Sequence, residues 1–230
     1  MARLLYELAG ADPERRFSPY SWRARLALAH KGLEAEAVPW RYSERGALLA
    51  LSGQDKVPVL VDGDRVVADS WAIATYLEDA YPDRPSLLRG ARNSIRFIAH
   101  WADAVLNASL VRLIVADIPP LLAEADRAYF RESRERRFGM PLKAVSADRE
   151  VRLPAFRESL QPLGLTLRDW PYLGGEAPDY ADYAVFGAFQ WARCVSPFRL
   201  LDTEDPVHAW RERMLAAFDG LARRAPGFPC

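Results

Sequence analysis

The sequence predicts two parts: an α/β domain followed by an all-helical domain. Residues 1–80 alternate short β-rich runs with helix-periodic runs, whereas residues 91–230 carry only long amphipathic runs. Between them, Pro82 and Pro85 interrupt any helix and favour an extended connection. We therefore predict a first domain at 1–80, a linker at 81–90 and a second domain at 91–230.

The first 80 residues predict the element order βαβαββα. Asp62-Gly63 separates two strand-like runs and tolerates the positive φ that hairpin turns need. This order fits a thioredoxin-like layer of mixed sheet and helices. The predicted strands are 3–8, 34–39, 57–61 and 65–68, and the predicted helices are 22–31, 44–51 and 70–77.

The remaining residues predict an all-α helical bundle. Apolar positions recur at helical spacing in five segments: 93–115, 121–138, 148–170, 183–194 and 206–223. Phe97, Trp101 and Val105 form a row on the first of these helices. We expect core packing to explain this row, and the alternative is a wall of an apolar pocket.

Composition restricts the function classes. Thirty-one basic and thirty-one acidic residues cancel, which argues against nucleic acid or an anionic membrane and for small-molecule or protein partners. The interleaved glutamates of 127–137 make that arginine-rich segment typical of a solvated helix face. Cys194 and Cys230 form no CxxC pair, so no disulfide framework is expected.

Two further classes are also disfavoured. His30, His100 and His208 lack metal-ligand spacing, so we expect no metal site. The chain starts without a secretory signal pattern, and no apolar run approaches membrane-spanning length. The expectation is a soluble, cytoplasmic protein.

Ser18-Pro19 places a hydroxyl at the start of the first helix, after a strand. A helix N-terminus carries unpaired N–H groups and a positive dipole end, so it stabilises anionic partners such as thiolates. Ser21 is a competing hydroxyl, although its place in the first turn favours capping or solvent exposure. Arg15 and Arg16 in the preceding loop are either solvated or reach an acidic ligand group.

Two more motifs allow both a structural and a functional interpretation. Val57-Pro58 begins a strand, where a cis bond would let Val57 pair with an extended peptide and a trans bond would mark an ordinary strand start. Asp69-Ser70 opens a helix, where either residue can act as an N-cap. The same helix mouth could hold a ligand carboxylate through Ser70 while Asp69 pairs with an ammonium.

Taken in order, these motifs resemble the glutathione transferase superfamily over nearly the whole chain. The hydroxyl-Pro-aromatic start at 18–20, Lys56-Val57-Pro58, Asp69-Ser70 and the Tyr81-Pro82 linker carry the resemblance. The segments 18–23, 129–135 and 138–139 resemble the bacterial β-etherase and fungal serine-type branch in particular.

The resemblance implies roles for particular residues. Ser18 would donate a hydrogen bond to the glutathione sulfur, Val57 would pair with the cysteinyl backbone, and Asp69 and Ser70 would hold the γ-glutamyl end. Lys56 would face the glycine carboxylate. Asp179-Tyr180-Ala181-Asp182 stands where the family has a capped core helix, and we expect it to be structural.

The implied function is transfer of glutathione to an apolar electrophile, which we expect to be aromatic, and aryl ether cleavage is one form of this reaction. Glutathione would be a co-substrate, no metal or redox cofactor is implied, and a homodimer is expected. A non-catalytic, glutathione-dependent carrier of hydrophobic ligands is the alternative. The absence of cysteine at position 18 argues against a thiol–disulfide reductase.

Overall fold

A four-stranded mixed sheet organises the first part of the chain. The computed structural model describes residues 3–229. The strands lie in the order β2-β1-β3-β4, with β1 parallel to β2 and antiparallel to β3, and with β3 antiparallel to β4. They are β1 (Arg3–Leu8), β2 (Glu36–Trp40), β3 (Val59–Asp62) and β4 (Arg65–Ala68).

Three helices complete this part and confirm the order βαβαββα. They are α1 (Pro19–His30), α2 (Arg45–Ser52) and α3 (Ser70–Ala80). At the ends of α1 and α3, the buried Lys31 ammonium pairs with Glu78 at 2.7 Å. The fold of this part is thioredoxin-like, as predicted.

The second part is helical, which confirms the predicted bundle. A continuous rod consists of α4 (Arg92–Trp101), a π-helical turn (Ala102–Leu106) and α5 (Asn107–Ile114). The helices that follow are α6 (Glu124–Phe138), α7 (Leu142–Val145), α8 (Arg149–Ser159), α9 (Gln161–Asp169), α10 (Tyr180–Val195) and α11 (Pro206–Arg224).

The single helix expected at 148–170 is wrong, because two helices meet at Leu160. Pro162 lies in the first turn of α9, where a missing N–H costs nothing. In a continuous helix, its ring would clash with the carbonyl four residues earlier. The helix α11 is also interrupted, by non-helical backbone over residues 217–220.

The almost fully buried helix α10 joins the two parts. A Cβ atom added at Gly187 would lie 2.5 Å from the Pro19 carbonyl oxygen, so glycine allows α1 to approach closely. The buried Arg23 of α1 donates from Nε to the Ala184 carbonyl at 3.1 Å and pairs through Nη2 with Asp103 at 2.8 Å. These contacts tie the position of α1 to the helical domain.

The row formed by Phe97, Trp101 and Val105 is not a core stripe. Phe97 is 73% exposed and Val105 is 41% exposed, while Trp101 is only partly buried. The residues that α4 and its extension bury are smaller or aliphatic and form a different row: Ile95, Ala99, Ala102, Leu106 and Leu110. Core packing therefore holds only for Trp101, which packs against the core, and is wrong for Phe97 and Val105. The alternative is also wrong, since none of the three residues lines the cavity described below.

One helix passes a simple test for membrane spanning, contrary to the sequence-based expectation. By length and composition alone, Arg92–Asp117 could cross a membrane. However, 44% of its most apolar window is buried inside the molecule, and α4 and α5 both pack against α10. Core helices of soluble proteins meet the same criterion, so the match is weak evidence for a membrane span.

Candidate functional site

The long loop before Ser18 folds back on itself. Ala9 and Arg16 form an isolated bridge, and the Gly10 N–H donates to the Arg15 carbonyl at 3.1 Å. The Phe17 N–H then donates to the carbonyl of Leu8, the last residue of β1, at 3.2 Å. Residues 9–16 thus form a loop that leaves the strand and returns to it, and Ser18 lies at the end of β1.

Ser18 is the N-cap of α1. Its Oγ accepts a hydrogen bond from the Ser21 N–H at 3.2 Å, and Pro19 occupies the first helical position. The side chain is 4% exposed and lines a cavity. Among residues 3–229 its hydroxyl proton has no acceptor, so the hydroxyl keeps the capacity to donate.

Sheet register brings the next predicted residues to the same end of the sheet. Tyr6 pairs with Val59 across β1 and β3, so continuing this antiparallel register places Leu8 opposite Val57. The Val57-Pro58 peptide bond is cis, and the Pro58 carbonyl accepts from the Asp69 N–H at 3.2 Å.

Asp69 and Ser70 form the mouth of α3. Asp69 adopts a φ of 83° and caps the helix by accepting from the N–H groups of Trp71 and Ala72 at 2.9 and 3.1 Å. Its side chain remains exposed. The buried Ser70 has no side-chain hydrogen bond among the described residues, although its carbonyl accepts from the Tyr180 hydroxyl at 2.8 Å.

The helix α10 spaces the two helix mouths. It contacts Ser70 through Tyr180 and approaches Pro19 at Gly187. Seven residues of α-helix separate these contact points, which is about 10 Å along the axis. Ser18 and Ser70 are therefore held by one rigid element.

Other candidate residues lie elsewhere. The Ser21 Oγ is buried without a hydrogen-bond partner among the described residues, and Lys56 is exposed beside Val57. Arg15 donates to the Cys194 carbonyl at 2.7 Å, and the buried Arg16 lies 3.8 Å from Glu7. These two arginines are neither solvated nor part of the cavity, because they pack the loop against the protein.

The cavity beside Ser18 has a volume of about 210 Å³. An apolar cavity of about 150 Å³ is enough to bind benzene, so one substituted aromatic ring fits. Its apolar wall comes from both domains: Leu8, Phe17, Val111, Val115, Ile118, Phe130 and Trp191.

One polar part of the cavity lining comes from the π-helical turn and the first residue of α5. Asp103 and Asn107 line it together with Tyr20 of α1. Asn107 is 8% exposed, and its Oδ1 has no hydrogen-bond partner among the described residues. Burial and the nearby Asp103 raise the pKa of Tyr20, so its hydroxyl stays protonated at neutral pH.

A second polar part of the lining comes from α6, where the sequence predicts a solvated face. Arg134 and Arg137 line the cavity together with Tyr42. Burial raises the pKa of Tyr42 to about 12, although Arg134 lies beside it. The sequence signal for this part of the lining is the spacing of Arg134 and Arg137, because residues three apart lie on the same face of a helix.

The predicted structural cap of α10 is confirmed. Asp179 accepts from the Ala181 N–H at 2.7 Å, and Asp182 accepts from the Asp179 N–H at 3.1 Å, which completes a capping box. Asp182 also accepts from Trp210 Nε1 at 2.8 Å and is fully buried.

Comparisons of the sequence with known families agree with this architecture. Residues 13–85 match the glutathione S-transferase N-terminal domain, and residues 95–216 match the C-terminal domain. The probable glutathione S-transferase GSTU1 of Oryza sativa subsp. indica is 37% identical over 218 residues, covering 91% of this chain and 86% of the relative. Glutathione S-transferase U13 of Arabidopsis thaliana is 39% identical over 211 residues, covering 86% and 83%.

Solved structures show the same fold. The glutathione S-transferase CsGST63524 of Ceriporiopsis subvermispora, in complex with glutathione, has a TM-score of 0.81 at 22% identity and covers 95% of this chain and 97% of that one. Glutathione transferase GSTFuA3 of Phanerochaete chrysosporium has a TM-score of 0.77 at 25% identity, covering 96% and 92%. With both domains matched, the chain belongs to the glutathione S-transferase family.

Proposed function

We propose that the protein binds reduced glutathione and transfers it to an aromatic electrophile, with Ser18 stabilising the thiolate. The observation that carries this proposal is the Ser18 hydroxyl at the N-terminus of α1, which lines the cavity and keeps its proton available. Through this proton, the hydroxyl would donate a hydrogen bond to the sulfur anion of glutathione.

The required energy is within reach of this geometry. A thiol of pKa about 8.5 must fall by about two units to be mostly ionised at neutral pH, which corresponds to about 2.7 kcal/mol. A hydrogen bond to a charged group contributes about 1.5–3 kcal/mol, and a helix terminus adds about 0.3–1 kcal/mol. These two contributions suffice together.

The other predicted contacts fit the same ligand. A tripeptide in extended form spans about 10 Å, similar to the distance along α10 between its contact with Ser70 and its contact with Pro19. We propose that Val57 pairs with the cysteinyl backbone, that Asp69 and Ser70 hold the γ-glutamyl end, and that Lys56 faces the glycine carboxylate. Glutathione is then the only co-substrate needed.

For the reaction, we propose nucleophilic substitution by the bound thiolate. Its sulfur forms a bond to the electrophilic carbon, and the leaving group departs with the electron pair of the broken bond. In an aryl ether, an aryloxide leaves and takes a proton from water, so the products are a glutathione thioether and a phenol. We also propose that the protein belongs to the serine-type branch related to β-etherases, because residues 18–23 resemble that branch.

We also propose that the protein is a cytoplasmic homodimer. The exposed Phe97 and Val105, with the partly buried Trp101 between them, offer an apolar surface that a second copy would cover. Analytical ultracentrifugation tests this: wild type should sediment as a dimer and Phe97→Glu as a monomer. A monomeric wild type would contradict the proposal.

The thiolate hypothesis is tested by following thiolate absorbance of bound glutathione against pH. In wild type, the thiol should titrate about 1–2 units below its value in solution, and in Ser18→Ala this shift should largely disappear. Ser21→Ala is the matched control, because that hydroxyl is buried away from the cavity. A solution-like pKa in wild type would favour the carrier alternative.

A further inference from the structure

The cavity has a charge that the proposed reaction leaves unexplained. Its single acidic residue, Asp103, is already paired with Arg23 at 2.8 Å. Arg134 and Arg137 have no carboxylate partner among the ion pairs of residues 3–229. The cavity therefore carries two guanidinium groups in excess.

Arg134 is held in place instead of being free in solvent. Its guanidinium lies 4.8 Å from the ring centroid of Phe130 and 5.7 Å from that of Tyr42. Nη1 donates to the Ser133 hydroxyl at 3.0 Å, and Nη2 approaches the Tyr42 hydroxyl at 3.5 Å. A guanidinium has five N–H donors, so others remain for a ligand.

The neighbouring glutamate does not neutralise this group. Glu135 Oε1 accepts from the Leu142 N–H at 3.1 Å, at the turn into α7. An arginine fixed over aromatic rings with spare donors is suited to bind a planar anion through two parallel hydrogen bonds.

The negatively and positively charged side chains of the cavity come from different elements. Asp103 lies on the π-helical turn and Asn107 begins α5, whereas Arg134 and Arg137 lie on α6. Apolar side chains such as Val111 and Phe130 also line the cavity. An anionic substituent is disfavoured beside Asp103 and favoured beside the arginines. A ring in the apolar part would thus direct its anionic group towards α6.

We propose that the cavity selects aromatic electrophiles that carry a carboxylate, with Arg134 as the main specificity-determining residue and Arg137 assisting it. This inference rests on the proposed transferase function, because it names the class of electrophile. The carboxylate bound by Arg134 has two candidate sources, the electrophile and the glycine end of glutathione, and the test below separates them.

The test compares 4-chloro-3-nitrobenzoate with the neutral 4-chloro-3-nitrobenzamide. In both, the thiolate carbon–sulfur bond forms as chloride leaves, so kcat/KM divided by the uncatalysed rate constant isolates recognition of the charge. Wild type should prefer the benzoate about tenfold, and Arg134→Gln should lose that preference, with the larger fall in its value for the benzoate. Arg131→Gln, an exposed arginine on the same helix outside the cavity, is the matched control.

Three outcomes separate the possibilities. An equal preference in wild type and Arg134→Gln overturns the inference. A rise in the KM for glutathione in Arg134→Gln, of equal size with both electrophiles, assigns the arginine to glutathione and overturns it as well. Should neither compound be converted, the transferase proposal fails, and calorimetry with 3-nitrobenzoate and 3-nitrobenzamide decides the inference: tighter, Arg134-dependent binding of the benzoate supports it.

Discussion

The N-termini of α1 and α10 are chemically similar and are used differently. Each begins with a side-chain oxygen that caps the helix, and the two helices pack against each other. At α1, the Ser18 oxygen accepts one N–H at 3.2 Å, and the first turn has no acidic residue. At α10, Asp179 and Asp182 form a complete capping box.

The difference lies in how many donors remain. Asp182 accepts from the N–H groups of Leu173, Gly174 and Asp179 and from Trp210 Nε1, all within 3.1 Å. All four of these donors are satisfied by Asp182, so they are not available to a ligand at the N-terminus of α10. The end of α1 faces a cavity and keeps both a hydroxyl donor and an uncompensated dipole, so it retains the capacity to bind an anion that the proposed function requires.

Asp182→Ala should have the largest effect, on stability. It leaves three backbone N–H groups and the Trp210 indole without their buried acceptor, so we expect a loss of about 4 kcal/mol or more in the free energy of unfolding. Urea denaturation measures it. Asp169→Ala, an exposed carboxylate at the end of α9, should change stability by less than about 0.5 kcal/mol, and similar losses in both variants would show that the buried network is unimportant.

Ser18→Asp transfers the α10 type of cap to α1. An aspartate caps as well as a serine, so the unfolding free energy should stay within about 1 kcal/mol of wild type. The carboxylate no longer donates to the sulfur and repels its charge, so kcat/KM should fall about 100-fold. Turnover with 1-chloro-2,4-dinitrobenzene is the measurement, and retained activity would remove Ser18 from the mechanism.

The sequence predicts the helix starts better than it predicts the cavity wall. The helix start at Ser18 depends on residues a few positions apart, so local chemistry sufficed to predict it, whereas the cap at Asp179 was expected from the family resemblance. The element order βαβαββα followed equally from short runs and turn residues. The roles predicted for Ser18, Lys56, Val57, Asp69 and Ser70 stay predictions until glutathione binding is measured.

The cavity wall could not be predicted, because it depends on which helix faces which. The π-helical turn at Ala102–Leu106 inserts an extra residue in one turn and shifts the face on which later residues lie. Asp103 lies in this turn, so its position in the cavity wall could not be predicted. Phe97 precedes the turn and is exposed because α4 buries Ile95 and Ala99 instead. Arg134 has charged sequence neighbours, which predicts a solvated face, whereas its contact with Tyr42 depends on tertiary packing.

Asp179→Asn should have a moderate, pH-dependent effect. Burial, and then the neighbouring Asp182, raise the pKa of Asp179 to about 6. Because this pKa is higher in the folded than in the unfolded state, protonation of Asp179 stabilises the folded protein. This stabilisation is complete below the unfolded-state pKa near 4 and is lost as the pH rises through 6. Asparagine caps equally well without titrating, so relative to wild type the variant should gain about 1–2 kcal/mol between pH 4.5 and pH 7.5.

The measurement is urea denaturation of both proteins at pH 4.5, 6 and 7.5. Curves of the unfolding free energy that run parallel over this range would contradict the assigned pKa. A gain in wild type at high pH would reverse the sign and exclude burial as the cause.

Ser21→Ala should have the smallest effect. The Ser21 Oγ is fully buried and has no hydrogen-bond partner among the described residues, so the hydroxyl contributes no bond that the substitution would break. We expect the unfolding free energy to change by less than about 1 kcal/mol, with a gain as the preferred direction, because an unpaired buried polar group is removed. Thermal unfolding measures this change, and a loss above about 2 kcal/mol would mean that Ser21 has a partner in solution and shares in capping α1.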